Sequence, residues 1–271
     1  MLTITTLSLF ILFSTCGGIS FEEDLTISIK EKNALDELRD RVLPELTHDY
    51  MKKDIFLVRW LRARNFDVDA AEKMLLKSLK WRNTNSIDSI GTEDWSLFER
   101  NFPYSVDSVN KKGQPLLIIS PSTPWDIRSI LLTKDGPRLT RWMIKMLEDA
   151  TARIREEQSA GRNVTRFSMV NTLENFNLVE SGCLRCLSVF TAFTNNYEEH
   201  YPQTMDQMVL VNTPDIFDGV LRLIRPLLSP STRQSLKIMG GNKSKWQSQL
   251  LNEVDADQLP IDLGGNKPDD F

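Results

Sequence analysis

Few residues in this chain have the types and spacing that chemistry requires. Cys183 and Cys186 stand three apart in SGCLRC, His48 and His200 are its two histidines, and Gly240 to Ser244, GGNKS, has the outline of a phosphate loop. A C-x-x-C pair can exchange disulfides or supply half of a zinc site. Zinc needs two more ligands, and the histidines are distant in sequence with no metal-like spacing. Redox chemistry needs the pair to open a helix, whereas the apolar pattern from about 179 to 195 runs through both cysteines and places them as buried thiols within a helix. A phosphatase nucleophile needs a basic loop after it, and these cysteines lead into Leu187, Val189 and Phe190. GGNKS lacks the upstream glycine of a phosphate loop and carries Asn242 before its lysine. G-x-S-x-G, G-x-G-x-x-G and H-E-x-x-H are absent. The expectation is a protein that is not an enzyme, with no metal and no cofactor.

The elements that position side chains are easier to read. The 271 residues, 41% hydrophobic and 26% charged, suit one large or two modest globular domains, and a net charge of −4 argues against a nucleic-acid coat. Ala34, Leu35, Leu38, Val42 and Leu43 recur at helical spacing until Pro44. "FLVRWLRARNFDVDAAEKML", 56 to 75, implies a helix over about 53–64, with Trp60 and Leu61 in the core and the arginine heads in water. Asp69 and Glu72 form a capping-box pattern that starts a third helix near Ala70. Beyond Asp94 the pattern changes. "GQPLLII" (113–119), "RFSMVNT" (166–172), "QMVLVNT" (207–213) and "SLKIMG" (235–240) read as strands, separated by helical patterns over about 137–158, 179–195 and 215–228. Crossovers of that length require a largely parallel sheet with helices packed on it. The fold class is therefore α/β, with a helical lobe over 30–92, an α/β domain over 93–263 and a tail, 264–271, that should fray.

Two stretches bear on function. "DIFDGVLRLIRPLLSP", 215 to 230, sets Ile216, Phe217, Val220, Leu221, Leu223, Ile224, Leu227 and Leu228 against Asp218, Arg222 and Arg225 on the other side, and Pro226 should kink or end that helix. Residues 1 to 20 are uncharged, with an apolar run from Leu7 to Phe13 before small residues, the layout of a secretory signal too short to span a bilayer. A signal would place the chain in the secretory lumen or outside the cell, where the sequons at Asn163 and Asn242 would matter; without it the cytoplasm is the alternative.

The segments quoted above, taken in order and closed by "LPIDLGG", resemble the CRAL-TRIO lipid-binding family over about residues 30 to 265, in particular the animal group that includes supernatant protein factor and proteins named as retinal- or tocopherol-associated. The resemblance implies an internal hydrophobic pocket under a gate helix, here 215 to 228. It implies binding of one lipid (phospholipid, or tocopherol-, retinoid- or sterol-like), transfer between membranes through transient surface contact, and a monomer. The lipid-binding residues it implies are Ser168, Phe217, Val220, Leu221, Ile224, Arg225 and Leu228, with Arg64 and Arg222 as headgroup contacts. Asn65 and Gln203 depart from the phosphoinositide-binding pattern, which turns the expectation towards a neutral lipid, and the C-terminal β-sandwich of those animal relatives is not expected. The rival reading is a module of the same fold that docks protein partners.

Overall fold

Serine caps and short apolar stripes decide where the first helices lie. The computed structural model describes residues 20–123, 125–174, 176 and 183–268, so the expected signal, 1–19 of it, and the last three residues of the tail lie outside the described residues. Ser20 begins α1 (Phe21–Leu25) and Ser28 begins α2 (Ile29–Val42) by one device: the hydroxyl accepts from the amide three residues on, and Glu23 or Glu31 reaches back. α2 buries Leu35, Leu38 and Val42; α3 (Asp54–Ala63) buries Leu57, Val58, Trp60 and Leu61; α4 (Val68–Thr84) adds Ala71, Met74 and Leu75. These faces make the core of a helical lobe. α4 starts two residues before the position its sequence pattern suggests. Asn65 and Phe66 take positive φ and turn the chain, so Asp67 is the first side chain able to cap, accepting from the Ala70 amide at 2.9 Å. Asp69 and Glu72 instead accept from Arg41 at 2.6 and 3.0 Å.

The second unit alternates strand and helix: α5 (Ser96–Asn101), β1 (Tyr104–Val109), β2 (Pro115–Ile119), α6 (Ile127–Leu131), α7 (Gly136–Ser159), β3 (Phe167–Thr172), α8 (Leu184–His200), β4 (Met205–Val211), α9 (Asp218–Ile224), α10 (Pro230–Ser235), β5 (Leu236–Ile238) and α11 (Lys243–Glu253). Among the described residues five strands form one sheet in the order β1-β2-β3-β4-β5, with β2 to β5 parallel and β1 antiparallel on the edge. β2 is apolar throughout because both faces are covered: Leu117 and Ile119 join Trp142 and Leu147 of α7, and Leu116 and Ile118 join Trp246 and Leu250 of α11. The tail does not fray over its described part, since Lys267 donates to Asp107 and Ser108 of β1 at 3.0 and 2.8 Å. Gly265 is needed for that closure, because a Cβ there would stand 2.0 Å from the Leu259 carbonyl oxygen. No helix among the described residues is long and apolar enough to cross a membrane.

Two expected helices are corrected. α8 begins at Leu184 with Cys183 as its cap, and the cysteines are joined in a disulfide instead of standing as thiols within a helix. The cap lies outside the helix, so its sulfur folds over the first turn and reaches the residue three ahead. The segment Asp215 to Leu228 is a 3₁₀ turn (Asp215–Phe217), the short α9 and a second 3₁₀ turn (Arg225–Leu227), because Pro226 has no amide to continue the helix.

The seam between the two units corrects the arginines of α3. Arg62 donates to Asp24 at 2.7 Å, and Arg166, at the start of β3, grips the same carboxylate at 2.6 and 3.0 Å. Asp24 is 1% exposed and Arg166 4%. Arg59 donates to the Thr165 carbonyl, and burial pushes its pKa down to about 10. Arg59 and Arg62 are half-buried and turned inward to these partners instead of standing free in water, whereas the head of Arg64 bonds the Ala63 carbonyl at 2.9 Å on the surface. Burial alone would raise the Asp24 carboxyl, but the hydrogen bonds and charge of Arg166 outweigh it and hold the group below the ordinary carboxylate range.

Candidate functional site

The sheet lays the floor of a cavity. Along β3 side chains alternate, so Met169 and Asn171 face α7 and α8 while Ser168 and Val170 face the other way. In β4 the register slips: Phe167 pairs with Met205 but Ser168 with Gln207, leaving Asp206 as an extra residue. Met205, Met208 and Leu210 consequently all reach the cavity side. α8 contributes Phe190, Phe193, Thr194 and Tyr197, one helical stripe. Met143 of α7 and Trp125 add a wall, and Phe217, Ile224, Leu228 and Leu236 close the top. They surround about 110 Å³ of free space, an apolar hollow partly open to solvent.

The chemistry of this wall is that of oil with a few hydrogen-bonding points. Among the described residues no charged side chain lines it. Asn171, Thr194 and Thr232 offer an amide and two hydroxyls, and the Tyr197 hydroxyl accepts from the Met205 amide at 3.1 Å. Burial pushes Tyr197 up to about 12, so it stays a neutral phenol. Four of the nine methionines, at 143, 169, 205 and 208, face the space. With no nucleophile beside a base and no metal-ligating cluster among the described residues, the site is suited to holding an apolar molecule.

Sequence-expected residues of the Asp215–Leu228 segment divide into three groups. Phe217, Ile224 and Leu228 line the cavity. Val220 and Leu221, 2% and 3% exposed, pack with Leu187, Phe190 and Leu210 and so hold the segment down. Arg222 and Arg225 stand on the exposed side with Ile216 and Leu223, each 52% exposed. Ser168 is a correction: its hydroxyl donates to Gln114 at 3.3 Å on the opposite face of β3, because residue alternation turns it away. Arg64, at the end of α3, is also not among the lining residues. Sequence reasoning missed the methionines and the α8 stripe, although Phe190, Phe193, Thr194 and Tyr197 recur at helical spacing.

The family profile described as "CRAL/TRIO domain" matches residues 99–265, and "CRAL/TRIO, N-terminal domain" matches 32–77. The chain belongs to the CRAL-TRIO family. A CRAL-TRIO domain-containing protein of Caenorhabditis elegans, T23G5.2, is 27% identical over 222 residues, 80% of this chain but 30% of the nematode protein. SEC14 cytosolic factor of Eremothecium gossypii is 27% identical over 248 residues, covering 88% of this chain and 77% of that protein. The crystal structure of Sfh5 superposes with a TM-score of 0.67 over 90% of each chain at 13% identity, which carries the fold. For this CRAL-TRIO chain, family membership supports lipid binding and transfer in general.

Proposed function

We propose that this CRAL-TRIO protein binds a single lipid without net charge in the cavity over β3 and β4 and carries it between membranes, with Asp215–Leu228 as the gate. The carrying observation is the lining itself: apolar and sulfur-rich, and among the described residues without a charged side chain to match an anionic headgroup. Ser168 turns its hydroxyl away, which further disfavours phosphoinositide. A tail in such a wall is solvated about as well as in a bilayer, where each CH₂ moved from water gains about 0.8 kcal/mol, so exchange between the two is near neutral. The gate meets the membrane by its outer side, where Ile216, Leu223 and Leu227 are exposed beside two arginines. The disulfide and the apolar leader favour an oxidising compartment.

The test extracts the purified protein with organic solvent, identifies the lipid by mass spectrometry and follows transfer of fluorescent phosphatidylcholine and tocopherol between vesicles. Thr194→Trp, which fills the cavity from α8, is expected to lose both bound lipid and transfer while the fold remains. Lipid loading unchanged by that substitution, or an empty wild-type protein that transfers nothing, refutes the reading. Endoglycosidase-sensitive mass on the exposed Asn163 or Asn242 would establish the lumen; an unmodified product in the cytosolic fraction would overturn it.

A further inference from the structure

The disulfide at the head of α8 has an asymmetry that its sequence pattern concealed. Cys183 is the N-cap of a 17-residue helix, and its sulfur accepts from the Cys186 amide at 3.1 Å. Cys183 is half-buried, whereas Cys186 is 0% exposed and belongs to the core packed on α7 and β3. One sulfur of the pair therefore belongs to the partly exposed residue and the other to the interior. A sulfur at a helix N-terminus also sits in the positive end of the peptide dipoles, which favours its thiolate. Half-exposed first cysteine, enclosed second cysteine and a helix start together are the arrangement that thiol exchange requires. The lipid cavity does not use it, since neither cysteine lines that space.

We propose that Cys183–Cys186 is a thiol–disulfide exchange site, with Cys183 as the sulfur attacked and Cys186 as the resolving one, acting on low-molecular-weight thiols and disulfides of the glutathione type. An incoming thiolate bonds to the Cys183 sulfur, and the Cys183–Cys186 bond breaks with its electron pair leaving on Cys186 as a thiolate. A second thiolate attacks the incoming sulfur, releasing Cys183 as a thiolate and the two small thiols as their disulfide. Two small thiols are oxidised and the protein disulfide is reduced to two thiols; the steps reverse when a small disulfide is the oxidant. Exchange at Cys183 acts one turn from Leu187 and two from Phe190, which pack against Phe217, Val220 and Leu221 of the gate segment.

The experiment uses the full chain and reads thiols, so it succeeds or fails whether or not lipid is transferred. Wild-type protein is treated with reduced glutathione, quenched with N-ethylmaleimide and cut with trypsin, which cleaves at Arg185 between the two cysteines. Glutathione is expected on the Cys183 peptide and maleimide on the Cys186 peptide. Glutathione found first on Cys186, or a disulfide that reacts only after denaturation, overturns the proposal. In a second arm, Cys183 in Cys186→Ser is expected to take glutathione from its disulfide at least about tenfold faster than Cys186 in Cys183→Ser. Equal rates in the two variants would also overturn it.

Discussion

Asp24→Asn tests whether the N-terminal helix is a structural clamp. The carboxylate accepts three charged hydrogen bonds, at 2.7 Å from Arg62 and at 2.6 and 3.0 Å from Arg166. An amide keeps the shape but removes the charge and points a donor at donors, leaving Arg166, 4% exposed, without its counter-ion. Breaking a buried pair in this way costs about 3–5 kcal/mol, well above the 0–1 kcal/mol of a surface pair. With a urea slope of about 3 kcal/mol/M for a chain of this length, the unfolding midpoint should fall by roughly 1–1.7 M. The pH dependence fixes the sign. Because the folded carboxyl is held below its unfolded value of about 3.9, its contribution is whole above that pH and is lost as pH falls through the folded value. Wild type and Asp24→Asn should therefore differ fully at pH 7 and converge below about pH 4. A loss under about 1 kcal/mol at neutral pH, or a gap that persists into acid, would refute the clamp.

His200 lies flat on Trp81 at 3.7 Å with its side chain 5% exposed, and burial pushes its pKa down to about 4. The unfolded imidazole takes up a proton near 6.5, so its contribution is whole above that pH and is lost as pH falls towards 4; thermal melts should show His200→Phe flattening a slope worth roughly 3 kcal/mol. Leu223→Glu, at a 52% exposed position, should change stability by less than about 0.5 kcal/mol yet lower association with phosphatidylcholine vesicles about tenfold in a flotation assay. Ile224→Asp puts a charge in the cavity roof and should abolish phosphatidylcholine transfer while the circular dichroism spectrum is kept.

What the sequence disclosed was whatever repeats with a period. The strand at 115 announces itself as a continuous apolar run because both faces are covered, those at 167 and 205 by shorter apolar pieces, Met169–Val170 and Met208–Val211, and α2 and α7 by their stripes. β1 stayed hidden, since Ser105, Asp107 and Ser108 make an edge strand without an apolar run. The inward turn of the α3 arginines was equally invisible: Arg62's partner, Asp24, lies 38 positions away in a five-residue helix, and Arg59's is the Thr165 carbonyl, 106 positions away. At the cavity, Phe217, Ile224 and Leu228 were legible from the amphipathic segment, whereas the direction of Ser168 depends on strand parity and the placement of Met205 on a register slip at Asp206. Neither shows in composition.

Unbranched thioether side chains swing through several rotamers at little cost, so a hollow faced by Met143, Met169, Met205 and Met208 can reshape itself around kinked, ringed or straight guests. If lipid binds there as proposed, discrimination among cargoes falls to the few fixed dipoles, Asn171, Thr194, Thr232 and Tyr197, each of which a guest must satisfy or leave wet. Selection by polar end groups, with latitude in tail shape, is the behaviour built into such walls.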